Sequence, residues 1–315
     1  MKVGVNMKIC VIENIGIDGK EFIDLFRDFV REDSYEIQYY DDKPSSREEI
    51  IKRGRNADIV VVSTLSLDRD IISQFENVKL IDVAFTGLDH IDVDYCKNKG
   101  IKVMNSDGYS TDSVCELVFG MIISLYRNMI LNDKLVRDGK VKDDLGLELF
   151  GKKIGIIGTG KIGLRVAQIA NAFGMKVYAY SRSIKDIDYI KYVSLNELLS
   201  NCDVISIHVP LNRETRNMLN KDRLKLLKRD AIVINTARGG IIDNEYLTYM
   251  LNNDLIGGAG IDVFDMEPPL DKDYCLNGAK NIILTPHIGY ATKEAIEKRT
   301  NIVIDNICNF LSNRV

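Results

Sequence analysis

Three side chains of complementary chemistry follow apolar runs in the second half of the chain: Arg238, Glu267 and His287. Each apolar run has the length and composition of a buried β-strand. The carboxyl ends of parallel strands meet at one edge of a sheet, where ligands bind in open α/β folds. We therefore expect a cation, an anion and an imidazole to lie close together at such an edge. The three runs are residues 231–235, 258–262 and 281–284.

This set of groups could catalyse the reduction of a 2-keto acid. Such a reaction needs a cation for the substrate carboxylate, a proton donor for the nascent alkoxide, and an anion that keeps the donor protonated. Arg238, His287 and Glu267 have these chemistries in that order. The alternative is that Arg238 and Glu267 form only a surface ion pair, and that His287 has a core or capping role.

The chain has two further histidines, for which we expect supporting roles. His90 lies in the segment 87–92, which reads as a turn into a helix, so that capping or hydrogen bonding is expected there. His208 ends the apolar run 204–208 and is expected to border the groove of a cofactor.

A glycine-rich turn follows the apolar run 153–157 and contains Gly158, Gly160 and Gly163 in a GxGxxG pattern. These glycines allow a tight turn, the close approach of a pyrophosphate, and close packing of helix on strand. The next residues have helical character as far as Phe173, and the N–H groups at a helix N-terminus favour phosphate. Because strand, turn and helix occur in the required order, we interpret the segment as a dinucleotide site rather than a purely structural turn.

The residue that meets the adenosine ribose is expected at the end of the next strand. Ser181 stands there, where an acidic residue would bind a 2′-hydroxyl, and Arg182 follows it. A carboxylate would repel a 2′-phosphate, whereas a Ser–Arg pair can bind one through charge-assisted hydrogen bonds. The sequence therefore favours NADP(H) over NAD(H), unless Arg182 is only a solvated loop residue.

Length and composition are typical of a globular protein with two domains. The 315 residues are 45% hydrophobic and carry a net charge of −4, which argues against nucleic-acid binding. The longest apolar run, 114–126, contains Glu116 and is too short to span a bilayer. Six scattered cysteines without a CxxC pair favour a reducing cytoplasm and no metal site. The first residues read as a strand rather than a secretory signal, and Met7 is an alternative start to Met1.

Short apolar segments alternate with helical ones in both halves of the chain. This alternation predicts parallel sheets covered on both faces, and hence two doubly wound α/β domains. We also expect a long helix at 111–128, an exposed polar arm at 132–149, and a helical tail at 293–311. The remaining predicted strands are residues 8–13, 35–40, 58–62, 78–84, 101–104 and 177–180.

Taken together, the motifs resemble those of the D-isomer-specific 2-hydroxyacid dehydrogenases, which include glyoxylate/hydroxypyruvate reductases and phosphoglycerate dehydrogenases. The resemblance covers nearly the whole chain. It implies an NAD(P)-dependent oxidoreductase with a Rossmann-type cofactor domain, residues 104–287, inserted into a flavodoxin-like substrate domain of residues 1–103 and 288–315. The motifs are segments 87–92, 158–163, 208–211, 236–240, 260–268 and 285–289.

The resemblance also implies roles for single residues. Arg238 binds the substrate, Glu267 supports the imidazole, and His287 is the acid/base; Asp262 contacts the nicotinamide end. Arms like 132–149 wrap the partner subunit in this family, so we expect a homodimer. The expected substrate contacts are Ser63, Thr86, Gly87, Arg238 and His287. The expected cofactor contacts are Thr111, Gly158, Gly160, Lys161, Ile162, Gly163, Ser181, Arg182, His208, Pro210, Thr215, Thr236, Ala237 and Asp262.

Departures from the family pattern narrow the expected substrate. The strand 58–62 is followed by Ser63-Thr64-Leu65-Ser66, without the arginine that a phosphate-bearing substrate would require. The chain stops at Val315, without the regulatory extension of many phosphoglycerate dehydrogenases. We therefore expect a small unphosphorylated 2-keto acid such as glyoxylate or hydroxypyruvate. The alternatives are a phosphoglycerate dehydrogenase lacking a regulatory domain, and a cofactor-sensing binding protein on the same fold.

Overall fold

The computed structural model describes residues 7–30, 35–141, 145–266 and 268–312. The chain divides into two compact units, each with its own parallel sheet. One contains the residues up to Ser110 and those from Ala291 onward, and the other is Thr111–Tyr290. The junctions at 110/111 and 290/291 lie seven and three residues after the domain boundaries expected at 103/104 and 287/288. The strand before the first junction continues to Asn105.

Strands and helices alternate along both units. Among the described residues the strands are β1 (Met7–Val11), β2 (Tyr35–Tyr39), β3 (Ile59–Val62), β4 (Leu80–Val83), β5 (Lys102–Asn105), β6 (Lys153–Ile157), β7 (Lys176–Tyr180), β8 (Ile190–Tyr192), β9 (Val204–Ile207), β10 (Ile232–Asn235), β11 (Gly258–Ile261) and β12 (Ile282–Leu284). The helices are α1 (Gly19–Phe29), α2 (Arg47–Gly54), α3 (Arg69–Ile72), α4 (Val93–Asn98), α5 (Thr111–Tyr126), α6 (Met129–Arg137), α7 (Lys161–Ala172), α8 (Leu195–Asn201), α9 (Lys221–Leu224), α10 (Asn244–Asn252) and α11 (Lys293–Ser312).

The first unit is a doubly wound sheet. Its strands pair in parallel in the order β2-β1-β3-β4-β5, which is the flavodoxin-like order. β3 and β4 are buried along their whole length, as expected for central strands with helices on both faces. α11 packs on β4 and α1 and so belongs to this unit.

Side chains of Asp and Ser cap helices α1 to α4 of the first unit. The carboxylate of Asp18 accepts hydrogen bonds from two backbone N–H groups in the first turn of α1, and the hydroxyl of Ser46 accepts one in α2. At α4 the cap is Asp92 rather than His90, whose carbonyl instead accepts the N–H of Leu67 over 2.9 Å. These caps satisfy donors that the helices leave unpaired at their starts.

A carboxyl group lies inside the core of the first unit. Asp82 in β4 is fully buried, and the side-chain amide of Asn306 on α11 donates to its Oδ1 over 2.9 Å. Burial raises the pKa of this carboxyl to about 7. The hydrogen bond joins the C-terminal helix to the sheet.

The second unit is a larger sheet of the same kind. Its strands pair in parallel in the order β12-β11-β10-β9-β6-β7-β8. This is the dinucleotide-binding order with one further strand at the β12 edge, and the order reverses between β6 and β9. The two sheets confirm the predicted fold class of two doubly wound α/β domains.

The helix expected at 111–128 corresponds to α5, which ends at Tyr126, and a separate helix, α6, follows it. Asn128 has a φ of +50°, in the left-handed region, so α5 ends before it and α6 begins after it. α6 overlaps the start of the segment predicted as an exposed polar arm at 132–149, and none of its residues is buried. None of the described helices is long and apolar enough by itself to cross a bilayer; α5 and α6 reach that criterion together but meet at 59°.

Candidate active site

The turn between β6 and α7 leaves room for a pyrophosphate. Gly158 has a φ of +97°, and a Cβ on Gly163 would collide with the Gly158 carbonyl. A Cβ on Gly160 would meet nothing within 4 Å, so the middle glycine borders open space. Gly160 also caps α7 without a side-chain hydrogen bond. A helix N-terminus beside open space fits a phosphate group.

The other predicted cofactor contacts of the second unit lie at helix starts and strand ends. Lys161 is exposed and Ile162 half-buried in the first turn of α7, and Thr111 is half-buried at the start of α5. Thr236 and Ala237 follow β10 and are half-buried. The hydroxyl oxygen of Thr236 is buried and has no hydrogen-bond partner among the described residues. It therefore retains hydrogen-bonding capacity for a bound molecule.

Ser181 and Arg182 follow β7 beside the glycine turn, where the Gly158 N–H donates to the Tyr180 carbonyl over 2.8 Å. Ser181 is half-buried, whereas the Arg182 side chain is 79% exposed. Its Nη1 lies 3.6 Å from Oε2 of Glu214, which belongs to the loop after β9. A negative charge thus lies beside Arg182 even though position 181 is not acidic.

His208 lies next to the first glycine of the turn. Its Nε2 is 2.8 Å from the Ser206 hydroxyl, and its backbone N–H donates to the Ile157 carbonyl over 2.7 Å. Burial lowers the pKa of the imidazole to about 3. His208 is therefore neutral at ordinary pH and brings no charge to a bound phosphate.

The loop after β9 is closed by Thr215. Its hydroxyl donates to the Pro210 carbonyl over 2.5 Å and accepts the Asn212 N–H over 2.8 Å. Pro210 is exposed and Thr215 is buried. The predicted contact residues 210 and 215 are therefore joined to each other.

The turn that carries Arg238 is organised by Asn235, which is fully buried at the end of β10. The Asn235 amide donates to the Arg238 carbonyl over 2.9 Å and accepts the Ala237 N–H over 3.0 Å. The guanidinium of Arg238 donates to the Ala237 carbonyl over 2.8 Å. A Cβ on Gly239 would collide with the Phe264 carbonyl. The Arg238 turn consequently packs against the chain that follows β11.

Glu267 was predicted as the partner of the histidine, but it lies outside the described residues. The segment before it is held by side chains: the Asn244 amide donates to Oδ2 of Asp265 over 3.0 Å, and the Tyr274 hydroxyl donates to the same oxygen over 3.3 Å.

His287 lies in a tight loop after β12. Its φ of +55° is in the left-handed region, which few residues other than glycine adopt. The His287 N–H donates to the Asp262 carbonyl over 2.9 Å. The imidazole is half-buried and meets the Tyr290 ring edge-to-face at 5.7 Å.

The carboxylate of Asp262, the residue after β11, accepts hydrogen bonds from the same loop. It is 1% exposed and accepts hydrogen bonds from the Thr285 hydroxyl at 2.5 Å and from the N–H groups of Ile288 and Gly289, both at 2.8 Å. Burial raises the pKa of this carboxyl, while these donors and the nearby His287 act in the opposite direction. On α5, the Ser113 hydroxyl donates to the Gly289 carbonyl over 2.8 Å. The loop of His287 is thus tied to both β11 and α5.

The predicted substrate contacts of the first unit differ in accessibility. The Ser63 side chain is buried and its hydroxyl donates to the Ala84 carbonyl over 3.4 Å. The Thr86 hydroxyl is also buried but has no partner among the described residues, and Gly87 is half-buried. Oε1 of Glu13 accepts the backbone N–H groups of residues 63, 64 and 65 at 2.7, 2.8 and 3.0 Å. Ser63 is therefore engaged within its own unit.

Within the described ranges, no cluster of three or more His, Cys, Asp or Glu side chains is arranged to hold a metal ion. All six cysteines are free thiols. Burial raises the pKa of the thiols of Cys115 and Cys202 to about 12, which keeps them protonated.

Several known proteins are similar to this chain in sequence and in fold. Residues 119–289 match the family described as "D-isomer specific 2-hydroxyacid dehydrogenase, NAD binding domain". The chain is 34% identical to a glyoxylate reductase of Thermococcus litoralis over 98% of this chain and 95% of that protein. It is 40% identical to a hydroxypyruvate reductase of Thermotoga maritima over 81% of this chain and 85% of that protein. The structure of an acyclic imino acid reductase in complex with NADPH and D-arginine matches with a TM-score of 0.90 at 33% identity, over 98% of each chain.

The chain belongs to the D-isomer-specific 2-hydroxyacid dehydrogenase family. The resemblance inferred from the motifs is confirmed. The protein is an oxidoreductase that acts on the CH–OH group of 2-hydroxy acids and uses NAD(P). The glycine turn, the start of α7 and the unpartnered Thr236 hydroxyl fit such a cofactor.

Several residues that support the site were not singled out from the sequence. Asn235 and Thr285 lie inside or next to motifs that were recognised, so their positions could have indicated a role. Ser113 and Glu214 carry no local signal, because the groups that they contact are remote in the chain.

Proposed function

We propose that this enzyme reduces a small unphosphorylated 2-keto acid, such as glyoxylate or hydroxypyruvate, with NADP(H) favoured over NAD(H). The observation that carries the proposal is the loop of His287. The loop contains the left-handed His287 and donates four hydrogen bonds to the main chain and side chain of buried Asp262, one of them from the His287 N–H. Unusual backbone conformations of this kind persist where the surroundings enforce them, and they cluster at active sites.

In the proposed mechanism His287 donates a proton to the carbonyl oxygen of the substrate. Arg238 binds the substrate carboxylate through two parallel N–H bonds and helps polarise the keto group. Glu267 supports the imidazole as its anionic partner. When bound, the nicotinamide supplies the reducing equivalent.

The cofactor preference follows from the end of β7. Ser181 places no carboxylate at the position where family members usually carry an acid, and the exposed Arg182 offers a guanidinium. Arginine binds phosphate more specifically than lysine because its planar fork matches two oxygens. The pyrophosphate site contributes equally to both cofactors.

A steady-state screen tests the proposed function. Purified enzyme is assayed with NADPH and with NADH against glyoxylate, hydroxypyruvate, pyruvate and longer 2-keto acids, following cofactor oxidation by absorbance. We expect the highest kcat/KM for a two- or three-carbon acid with NADPH. Preference for 3-phosphohydroxypyruvate would instead support the phosphoglycerate dehydrogenase alternative, and binding without turnover would support a cofactor sensor.

Reduction of an imine is a second candidate activity, because one similar solved structure is that of an acyclic imino acid reductase. The same screen is repeated with ammonium or methylamine, which convert part of each keto acid to its imine. A rate that rises with amine concentration and yields an amino acid would indicate C=N reduction. A rate that falls as the free keto acid is depleted would support C=O reduction.

We further propose that Thr111–Tyr290 is the cofactor domain, that the other unit is the substrate domain, and that the enzyme is a cytoplasmic homodimer. Apolar side chains are exposed from Met129 to Phe150, which is typical of a surface that another chain covers. The exposed apolar residues are Met129, Ile130, Leu131, Val136, Val141, Leu145, Leu147 and Phe150. Light scattering at micromolar concentration is expected to give twice the chain mass, whereas 35.6 kDa would reject the dimer.

A further inference from the structure

Two oppositely charged side chains from different loops meet beside the expected ribose position. Nη1 of Arg182, after β7, lies 3.6 Å from Oε2 of Glu214, in the loop after β9. Their side chains are 79% and 73% exposed, so neither is committed to the protein interior. β7 and β9 both neighbour β6, the strand that leads into the glycine turn. The pair therefore lies close to the turn that binds the cofactor.

The main chain on both sides of this pair is fixed. Oδ1 of Asn212 accepts the N–H groups of Glu214 and Thr215 at 2.9 and 3.0 Å. On the other side the Thr159 hydroxyl, inside the glycine turn, donates to the Ser183 carbonyl over 3.3 Å and accepts the Tyr192 hydroxyl at 3.2 Å. The approach of the two side chains is thus set by hydrogen-bonded loops, while their charged ends face solvent.

We propose that Glu214 is a specificity residue that sets how strongly the enzyme prefers a 2′-phosphorylated cofactor. This deepens the proposed cofactor preference and rests on it. Glu214 supplies from a second loop the negative charge that Ser181 omits from the strand end. The Glu214 carboxylate forms an ion pair with Arg182 when no phosphate is bound, and it repels a 2′-phosphate that approaches the guanidinium.

The sign of the effect follows from the charges. A 2′-phosphate carries a charge of about −1.5 to −2 near neutral pH, whereas a 2′-hydroxyl is uncharged. Glu214 therefore opposes binding of NADP(H) and leaves binding of NAD(H) almost unchanged. The interaction between two unit charges that lie about 4 Å apart in water changes a binding constant by about fivefold. Removing the Glu214 charge is expected to strengthen binding of the phosphorylated cofactor by about that factor at low salt.

The test compares fragments that differ in the 2′-phosphate. The affinities of adenosine 2′,5′-bisphosphate and AMP for the full-length enzyme are measured by isothermal titration calorimetry. For Glu214→Gln we expect about fivefold tighter binding of the bisphosphate and no change for AMP. The kcat/KM ratio of NADPH to NADH should rise in parallel, and the difference should shrink as salt is added.

Glu197→Gln is the matched control, because it removes an exposed carboxylate from α8 in the same unit. It should leave both affinities as in the wild type. Equal affinities for the bisphosphate in Glu214→Gln and wild type would overturn the proposal, as would an equal gain for AMP. A wild-type preference for NADH would reject the proposed NADP(H) preference but would leave the Glu214 comparison intact, so the two failures are distinguishable.

Discussion

The loop of His287 and the loop of Arg182 both follow strands of the same sheet, but they are held in different ways. The first is bound by Asp262, which is 1% exposed and accepts hydrogen bonds on both carboxylate oxygens. The Arg182 side chain is 79% exposed, and its charged partner Glu214 lies 3.6 Å away. Buried hydrogen-bonded groups define one arrangement, whereas exposed ion pairs contribute little and adapt easily. The difference separates a loop held by buried hydrogen bonds, which suits proton transfer, from an exposed side-chain pair on fixed loops, which suits cofactor selection.

The largest effect is expected for His287→Ala. General acid catalysis contributes up to about 10⁴-fold, so kcat should fall by roughly 10³-fold or more. Affinity for NADPH, measured by fluorescence quenching, should stay within about twofold of the wild type because His287 is assigned to the substrate. Turnover close to that of the wild type would show that His287 is not the proton donor.

Arg238→Lys should cause the next largest loss. A lysine keeps the charge but lacks the planar fork that binds a carboxylate at two points. We expect kcat/KM to fall by about 100-fold, comparable to removing one donor to a developing oxyanion. Steady-state kinetics with the best keto acid measures this, and the exposed Arg229→Lys is the control. Unchanged kcat and KM would reject the assigned contact.

Thr285→Val tests whether the hydrogen bond between Thr285 and Asp262, which fixes the His287 loop, is needed for catalysis. Valine keeps the shape but removes the hydroxyl that donates to Asp262 over 2.5 Å. This donor lowers the pKa of the buried carboxyl, so its loss should raise that pKa and protonate Asp262 at a higher pH. We expect kcat to fall about tenfold and the deficit to grow as pH decreases.

Thr285→Ser serves as the rescue variant, because it restores the hydroxyl donor. Its kcat and pH profile should return close to those of the wild type. A Thr285→Val enzyme with the wild-type profile would indicate that the backbone bonds alone position His287, and the interpretation that the Thr285 hydrogen bond is needed for catalysis would then be wrong.

The contrast between the His287 loop and the Arg182 loop also explains which features could be predicted from the sequence. The glycine turn and the segment around His287 are contiguous motifs that follow predicted strands, so the fold class and the positions of these loops were predicted. The left-handed φ of His287 depends on contacts with Asp262 and was not predicted. The contacts of Ser113 with Gly289 and of Asn306 with Asp82 join residues remote in sequence, and no periodicity encodes them. α6 was not predicted because it has no buried face to create a pattern. The hydrogen bond from the Ser63 hydroxyl to the Ala84 carbonyl also joins residues remote in sequence, and no local pattern encodes it.

The contact between Arg182 and Glu214 is even harder to predict from the sequence, because both are exposed charged residues of a common type. Arg182 was recognised by its position after β7, but the sequence alone gave no reason to place Glu214 next to it. The contiguous motif around His287 was thus easier to recognise in the sequence than the contact between Arg182 and Glu214.

A change similar in size to that of Thr285→Val is expected in cofactor choice, where Ser181→Asp combined with Arg182→Ala should shift preference toward NADH. The aspartate would repel a 2′-phosphate and accept the ribose hydroxyl, while the alanine removes the guanidinium. A hydrogen bond to a charged group contributes about 1.5–3 kcal/mol, so the NADPH/NADH ratio of kcat/KM should fall at least about tenfold. Because His287 and Arg238 are untouched, kcat with saturating NADH should remain close to the wild-type value. A ratio that does not change would mean that Arg182 stays with solvent and Glu214 when the cofactor binds, and selection would then lie elsewhere in the groove.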